Sequence, residues 1–487
     1  MKPIIVTEQP KQWNGLNDIV TIVTATDYLI NEELANERQI RIINLCQSYR
    51  YQSLGYYVSL LAEARGHKVF PSVLTMQDFN ARTSSAIVEI ELHDEIQQAL
   101  KSIKSDEFTL SVYFGKNLAK HYDILCRKLH GLFPAPIFRV FFKYKKEWRV
   151  QKITPLAFSD VPEAHYPFIT EVAKDYLARK RFNLTRKKNT FHDLAILYNP
   201  KEIIPPSNTI ALKKFIAAGN NLGLNVDLIE KDDYKTLNEY DALFIRETTS
   251  VNHYTYRFSR RAAAENLVVI DDPVSILKCA NKVYLAELLR KHRIATPQTV
   301  ILSKLNWKEK KNELIFPCVL KQPDSAFSQG VIKVNNIEEF IEAAKEFLNS
   351  SELIIAQTFM PTDFDWRIGL IDNRPLYACR YYMARNHWQI YNWQSESEKE
   401  CEGDADTIPI EKVPEGIIHT ALKASKLIGN GLYGVDLKEV NNHIYVIEVN
   451  DNPSIDHGVE DQLLGDKLYE QIMQVFLQRI KKRHGYE

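Results

Sequence analysis

Apolar and polar residues alternate along Gly434-Val435-Asp436-Leu437 and again along Tyr445-Val446-Ile447-Glu448-Val449-Asn450. A period of two reads as a pair of half-buried strands. Asn441-Asn442-His443 is the turn candidate between them, and an odd-length loop there would set Asp436 directly across from Glu448. Asn450, two positions further along, shares that face because strand side chains alternate. Three hard oxygen donors so placed suit magnesium that keeps part of its water and meets nucleotide phosphates. A solvated polar face of an antiparallel sheet would show the same alternation.

The same patterning divides the rest of the chain into blocks. Ile40–Leu45 reads as a strand, Gly55–Ala64 as a helix closed by Gly66, and His67–Phe70 as a returning strand, which together make a βαβ unit. Ile137–Phe142 is a further apolar strand. Residues 150–190 turn polar and aromatic, end in Arg179-Lys180-Arg181 and Arg186-Lys187-Lys188, and read as a helical connector. A second block carries strands Leu194–Tyr198, Ala242–Arg246 and Leu267–Ile270, the last stopped by Asp271-Asp272-Pro273, with an amphipathic helix near Leu212–Leu222. From Asn281 onward helices mix with antiparallel hairpins, and the closing helix Gln462–Lys482 carries Leu464, Leu468, Ile472, Phe476 and Ile480 on one stripe. The expected architecture is multidomain, α/β and α+β: an α/β domain over 1–150, a basic helical connector over 151–190, a second α/β domain over 191–280, and a domain with antiparallel sheets over 281–487. No internal repeat stands out.

Composition narrows the partners more than the fold. The chain has 487 residues, 45% hydrophobic and 25% charged, which is ordinary for globular protein with several cores. Its formal net charge of zero gives no overall field toward nucleic acid or an anionic membrane, so the basic residues 179–188 read as a solvated face before an RNA contact. No apolar run approaches the roughly 18 residues that a membrane helix needs, and the start lacks a signal-peptide core. Six cysteines (46, 126, 279, 318, 379 and 401) show no CxxC spacing, which speaks against structural zinc or a disulfide framework and for a reducing cytoplasm. Cys46 lies between a strand and a helix start, where a thiol pKa can fall, although packing is the plainer role. The neighbouring Tyr49-Arg50-Tyr51-Gln52-Ser53 cluster suits either an anionic or peptide ligand or a packed interdomain surface.

One motif misleads. Gly429-Asn430-Gly431-Leu432-Tyr433-Gly434 fits the GxGxxG dinucleotide fingerprint, but that fingerprint needs a strand before it and a helix after it, and here the order is reversed. No Walker A sequence is present either. Positive charge for phosphates comes instead from Lys282 at a helix start and Lys321 at a strand end. Lys321 is followed by Pro323–Gly330, a small-residue loop that can wrap phosphates with backbone N–H groups or simply connect a hairpin. Strands Asp365–Leu370 and Arg374–Tyr382 meet at Asp372-Asn373. A two-residue turn there would oppose 367 to 378 and put Arg367 and Arg380 on one face, suited to hold an anion between them. Asp365 on the same face could instead neutralise one of them.

Taken in order, lysine, lysine with its loop, D-x-R, arginine, asparagine, GVDL and ExN, the chain from about 230 to 470 resembles the ATP-grasp superfamily and most closely its RimK-type amino-acid ligases. Glu448–Glu460 carries the best match. The region around Asn44–Tyr57 looks like the RLAN domain found fused to such ligases, so the resemblance makes 1–150 RLAN-like, 191–280 a pre-ATP-grasp domain and 281–487 a two-lobed ATP-grasp domain. It implies ATP and one or two Mg²⁺ ions, with Mn²⁺ as a substitute. Lys282 and Lys321 would contact phosphates, aided by Ser328, Gln329, Gly330 and Asn392. Gln357, Thr358 and Phe359 would present backbone groups to adenine. Arg367 and Arg380 would hold the transferring phosphoryl group or the acceptor carboxylate, and Asp436, Glu448 and Asn450 would bind metal. Arg246, Asn452 and Ser454 would meet substrate. Three positions depart from the family pattern: the loop carries Ser325-Ala326-Phe327 without an early glycine, Thr358 stands where an acidic residue is usual, and Ile390 where an arginine is.

The implied chemistry is an ATP-dependent carboxylate–amine ligation through an acyl phosphate, adding a glutamate-like amino acid to a peptide, a protein terminus or a small acid. Positioning and cation stabilisation dominate such a reaction, which agrees with a residue set rich in Lys and Arg and lacking a nucleophile. Relatives of this type are often homo-oligomers. The competing expectation is a non-catalytic nucleotide-binding regulator, ribosome-associated through the RLAN region and the basic connector.

Overall fold

The computed structural model describes residues 2–37, 40–80, 84–178, 192–324, 330–384, 387–390 and 403–485. The first sheet is all parallel, with β1 (Lys2–Thr7), β2 (Thr21–Thr24), β3 (Ile40–Asn44) and β4 (Lys68–Phe70) in the order β2-β1-β3-β4. The predicted helix is Leu54–Ala64. Ser53 caps it by accepting the Tyr56 N–H, and Gly66 just past it takes the left-handed φ of 71° that ends a helix cheaply. β5 (Glu107–Tyr113), β6 (Ile137–Tyr144) and β7 (Trp148–Pro155) form a separate antiparallel sheet. β7 therefore occupies the start of the segment expected to be helical; helix Tyr166–Leu177 follows, and 179–191, with the basic clusters, lie outside the described residues.

The second parallel sheet comprises β8 (His192–Leu197), β9 (Leu224–Ile229), β10 (Ala242–Ile245) and β11 (Val268–Ile270) in the order β11-β10-β8-β9. Every residue of β8 and β10 is buried, as expected for parallel strands covered on both faces. β12 (Thr299–Ser303), β13 (Cys318–Lys321), β14 (Val331–Val334) and β15 (Leu353–Thr358) make an antiparallel sheet packed on helix Ile337–Ser350. The last sheet, also antiparallel, has β16 (Phe364–Ile371), β17 (Arg374–Tyr382), β18 (Ala405–Ile408), β19 (Leu432–Val440) and β20 (His443–Asn450) in the order β18-β17-β16-β19-β20. Helix Glu415–Ile428 covers one of its faces. Among the described residues no helix is long and apolar enough to cross a membrane.

The closing helix, Asp466–Arg483, crosses the expected domain division. Its buried Leu468, Ile472, Phe476 and Ile480 share one core with Leu194, Phe215 and Phe244 of the second parallel block and with Tyr377 and Leu432 of the last sheet. Leu464, at the start of the predicted stripe, is only partly buried. Phe476 lies 5.2 Å from Phe244, and Tyr469 packs edge-on to Phe215 at 4.8 Å, ring to ring. The helix that ends the third block thus belongs to the core of the second. Loop 451–460 adds polar ties in the same direction: Ser207 Oγ donates to Ile455 O at 2.9 Å, and the Asn208 N–H donates to Asp456 Oδ1 at 2.6 Å.

Candidate active site

The alternation that drew attention to 434–450 places the side chains as expected, but by a different turn. Asn441 and Asn442, with φ of 52° and 61°, make a two-residue hairpin loop that suits the twist of the strands. That loop alone would oppose Asp436 to Ile447. The ladder shifts between Asp436 and Leu437, so Val446 faces Leu437, Ile447 bulges, and Glu448 comes opposite Asp436, with Asn450 opposite Gly434. Gly434 has to be small: a Cβ there would lie 2.8 Å from Pro453 Cβ, in the loop that folds back over the strand end.

β16 brings Arg367 beside Asp436, and the two form a bidentate pair, Nε–Oδ1 at 2.7 Å and Nη2–Oδ2 at 2.8 Å. Asn450 Nδ2 donates to the same carboxylate at 3.2 Å. Glu448 pairs with Lys282 at 2.7 Å, Lys321 donates to Gln357 Oε1 at 2.8 Å, and Lys438 meets Asp365 at 2.5 Å. Burial works against the charges of Glu448, Arg367, Lys321 and Asp365. For Glu448 the nearby Lys282, Lys321 and Arg367 outweigh burial and hold its carboxyl below the usual range, while Asp436 outweighs it for Arg367 and holds that guanidinium well above its own. Lys321 yields to burial and is pushed down to about 8.

These groups line a cleft of about 260 Å³ bounded by the β12–β15 and β16–β20 sheets. Val319, Val331, Phe359, Met360, Trp388 and Ile447 supply its apolar walls, suited to a flat ring. Thr248, Thr249 and Ser250, following β10, close the other side with Asp451, Asn452 and Ser454. Asp451 accepts from Thr249 Oγ1 at 2.8 Å, and burial raises its carboxyl to about 6. Lys282, Lys321, Gln357, Thr358, Phe359, Arg367, Asp436, Glu448, Asn450, Asn452 and Ser454 all reach this cleft. Gly330 ends the loop before β14, whereas Ser328, Gln329, Asn392 and the altered 325–327 segment lie outside the described residues.

Two expectations need correction. Arg380 does not share a face with Arg367: a register shift between Gly369 and Leu370 opposes Arg367 to Cys379 and Arg380 to Trp366. Arg380 instead pairs with Asp406 on β18, its Nε 3.0 Å from Oδ1, and lies over the Phe364 ring. Arg246 is fully buried and occupied, donating to Ser207 Oγ at 3.0 Å, Asn452 Oδ1 at 2.6 Å, Pro453 O at 2.9 Å and Pro206 O, so it ties the second block to the loop after β20 rather than meeting substrate. Cys46 is buried, and burial pushes its thiol up, in keeping with the packing role that the sequence favoured. Sequence reasoning passed over Lys438, Asp451 and the Thr248–Ser250 segment. Lys438 was within reach, since alternation from Asp436 puts it on the same face; the other two depend on how separate blocks meet.

The cleft, between two antiparallel sheets and lined by lysines and carboxylates, is that of an ATP-grasp ligase, an enzyme joining a carboxylate to an amine at the expense of ATP. The chain is similar to the RimK-type members that carry an RLAN domain. The family described as RimK-like ATPgrasp N-terminal domain matches residues 25–172, and that described as D-ala D-ala ligase C-terminus matches 288–457. The chain is 27% identical over 262 residues, covering 51% of it and 90% of the relative, to the alpha-aminoadipate–LysW ligase LysX of Saccharolobus solfataricus. It is 26% identical over 287 residues, 56% of this chain and 89% of the relative, to the tetrahydromethanopterin:alpha-L-glutamate ligase of Methanocaldococcus jannaschii. Among solved structures, D-alanine–D-alanine ligase from Bacillus anthracis complexed with ATP aligns with a TM-score of 0.46 and 16% identity, covering 60% of this chain and 99% of the other. ATP and Mg²⁺ are the cofactors of the family.

Proposed function

We propose that the cleft binds Mg-ATP and ligates the amino group of a glutamate-like amino acid to a carboxylate on a peptide, a protein terminus or a small acid. The observation that carries this reading is the convergence of Asp436, Glu448 and Asn450 with Lys282, Lys321 and Arg367 on one cleft. The donor set fits magnesium: two carboxylates and an amide oxygen, with Glu448 held ionised by its lysine neighbours. When bound, the metal would be held by Asp436, Glu448 and Asn450 and would supply charge neutralisation for the phosphates.

The chain's own residues supply the rest. The acceptor carboxylate attacks the γ-phosphorus, the bond to the bridging oxygen breaks, and ADP leaves. Lys282 and Lys321 would balance phosphate charge, and Arg367, turned from Asp436, would hold the equatorial oxygens. The amine then attacks the acyl carbon and gives up a proton, and inorganic phosphate departs. Thr248, Thr249, Ser250 and Asn452 would orient the two substrates from the far side of the cleft. The substrates in the relatives' names, alpha-aminoadipate with LysW and glutamate with tetrahydromethanopterin, support an acidic amino acid as the amine.

The test is ADP release across a panel of amino acids and glutamate-ended peptides, with product masses read in the same wells. A particular pair should stimulate turnover and yield a condensation product. Glu448→Gln should abolish turnover while leaving the fold unchanged; product from that variant at the wild-type rate would refute the assignment of the site.

A further inference from the structure

The sheets β1–β4 and β8–β11 are two copies of one unit, although no repeat is visible in their residues. Their strand orders, β2-β1-β3-β4 and β9-β8-β10-β11, are the same. β3 and β10 correspond at an offset of 201 by their ladders to the next strand, and the elements after them match at an offset of 200: helix Leu54–Ala64 with Tyr254–Ala264, β4 at 68–70 with β11 at 268–270, and helix Val73–Asn80 with Pro273–Ala280. The left-handed residues after the first helix coincide as well, Gly66 with Asn266. So does a buried tie across the unit: Ser59 Oγ donates to Pro71 O at 2.8 Å and Ser259 Oγ to Asp271 O at 2.6 Å.

The two copies pack start to start. Arg41, on β3, donates to Glu239 O at 2.7 Å, and Lys68, first in β4, pairs with Asp241, which precedes β10, at 3.2 Å. The end of the closing helix reaches the equivalent residues of both copies, His484 Nδ1 lying 3.0 Å from Gly66 O and Arg483 Nη1 2.8 Å from Asn266 O. The carboxyl ends of the two sets of strands therefore point to opposite ends of the molecule.

Open parallel sheets take their ligands at those carboxyl ends, where the strand order reverses. In the second copy that edge carries Thr248, Thr249 and Ser250 into the ligase cleft. By the strand ladders and the bracing carboxylates, the matching residues of the first copy are Gln47, Ser48 and Tyr49, with Arg50 next along the same loop. In both, a carboxylate from the loop after the first strand braces the loop after the third: Glu202 accepts the Thr248 N–H at 3.1 Å, and Glu8 accepts the Gln47 N–H at 2.7 Å. The chemistry at the first edge differs in a directed way. Arg50 is exposed and has no ion-pair partner among the described residues. Tyr51 beside it is 70% exposed, with Tyr56 edge-on at 5.1 Å and Tyr57 and Leu54 open to solvent.

We propose that the carboxyl edge of β1 and β3 is a second recognition site, for the charged end of an amino acid or peptide. Arg50 takes the carboxylate, Glu8 faces the ammonium, and Tyr51 lies along the chain that follows. The choice of probe rests on the ligase reading; the site itself does not. The experiment is calorimetric binding of free glutamate and, separately, of a glutamate-ended tripeptide to the full chain without nucleotide, with amide exchange followed across residues 47–57. At least one probe should bind and slow exchange there. Arg50→Glu and Tyr51→Ala, both at exposed positions, should each weaken it about tenfold or more, the loss of one charge-assisted contact or stacked ring. Glu448→Gln should bind it as wild type does. Tighter binding of the tripeptide would mark the edge as an acceptor dock, and equal binding would mark a free amino acid as its ligand. Failure of both probes to bind at millimolar concentration, or binding that Arg50→Glu leaves intact, would overturn the proposal. Binding that persists in a chain showing no stimulated ADP release would remove the ligase reading alone.

Discussion

Arg367 and Arg380 stand on neighbouring strands, and one extra residue in the ladder between them sets their surroundings. Arg367 is held in a dry site by Asp436, where a guanidinium is worth most to a developing anion. Arg380 sits in a part-exposed pair with Asp406, the kind of contact that contributes about 0–1 kcal/mol. Arg367→Lys, which keeps the charge and loses the fork, should lower kcat roughly 100-fold. Arg380→Ala should leave turnover near wild type and the denaturation midpoint little changed. Steady-state ADP release on both variants checks this; equal losses would return Arg380 to the active site. The residue types were legible in the sequence, since Lys282, Lys321, Arg367, Asp436, Glu448 and Asn450 all reach the cleft. What was not legible was which arginine faced inward, because a bulge leaves no mark on a pattern of period two.

At the scale of elements, the hairpin β19–β20 and the loop after it act as one device. The strands aim the acidic groups, and the loop, folded back over Gly434, carries Asp451, Asn452 and Ser454 into the cleft. Glu460 anchors the far end of that loop, accepting the Asp456 N–H at 2.7 Å and the Tyr381 hydroxyl, while the Tyr381 ring lies under Arg367, 4.9 Å from Cζ. Burial raises the Glu460 carboxyl from 4.5 to about 7. The folded state therefore binds this proton more tightly than the unfolded state, so the stabilisation is complete below the ordinary carboxyl pKa and is lost as pH rises through about 7. Urea unfolding should show wild-type stability falling by on the order of 1–3 kcal/mol more than that of Glu460→Gln between about pH 5 and pH 8. Parallel curves for the two proteins would show that Glu460 ionises in the fold without cost. Helices and strands were largely legible here because capping residues and apolar period are local. Exceptions are β7, taken for part of a connector, and the hairpin turn, whose two left-handed asparagines were read as a longer loop.

At the scale of the whole molecule, the ligase cleft exists only because the second parallel block is locked onto the last sheet. Arg246 is the bolt. Its removal would strand Pro206 O, Pro453 O, Ser207 and Asn452 in a buried setting. Arg246→Met should lower unfolding free energy by about 3–5 kcal/mol, and turnover with it, as for other buried charged hubs that lose one partner. Chemical denaturation of the full chain reads the first effect. A variant as stable as wild type would show that the shared core around Phe215, Phe244 and Phe476 holds the two parts without the polar tie.

The sequence by itself determined the element types, the order of the lysines, arginines and carboxylates, and through that order the resemblance to ATP-grasp ligases that the family matches bear out. These depend on near neighbours and on linear order, both of which are written along the chain. The tertiary structure alone decided that Glu448 faces Asp436 through a bulge, that Arg380 turns away, that Arg246 is structural, and that the closing helix completes another block's core. It also exposed the duplication of the parallel unit. Register, shared cores and repeated folds arise from contacts between residues far apart in sequence, where a single inserted residue reverses a face and many different apolar residues fill the same space.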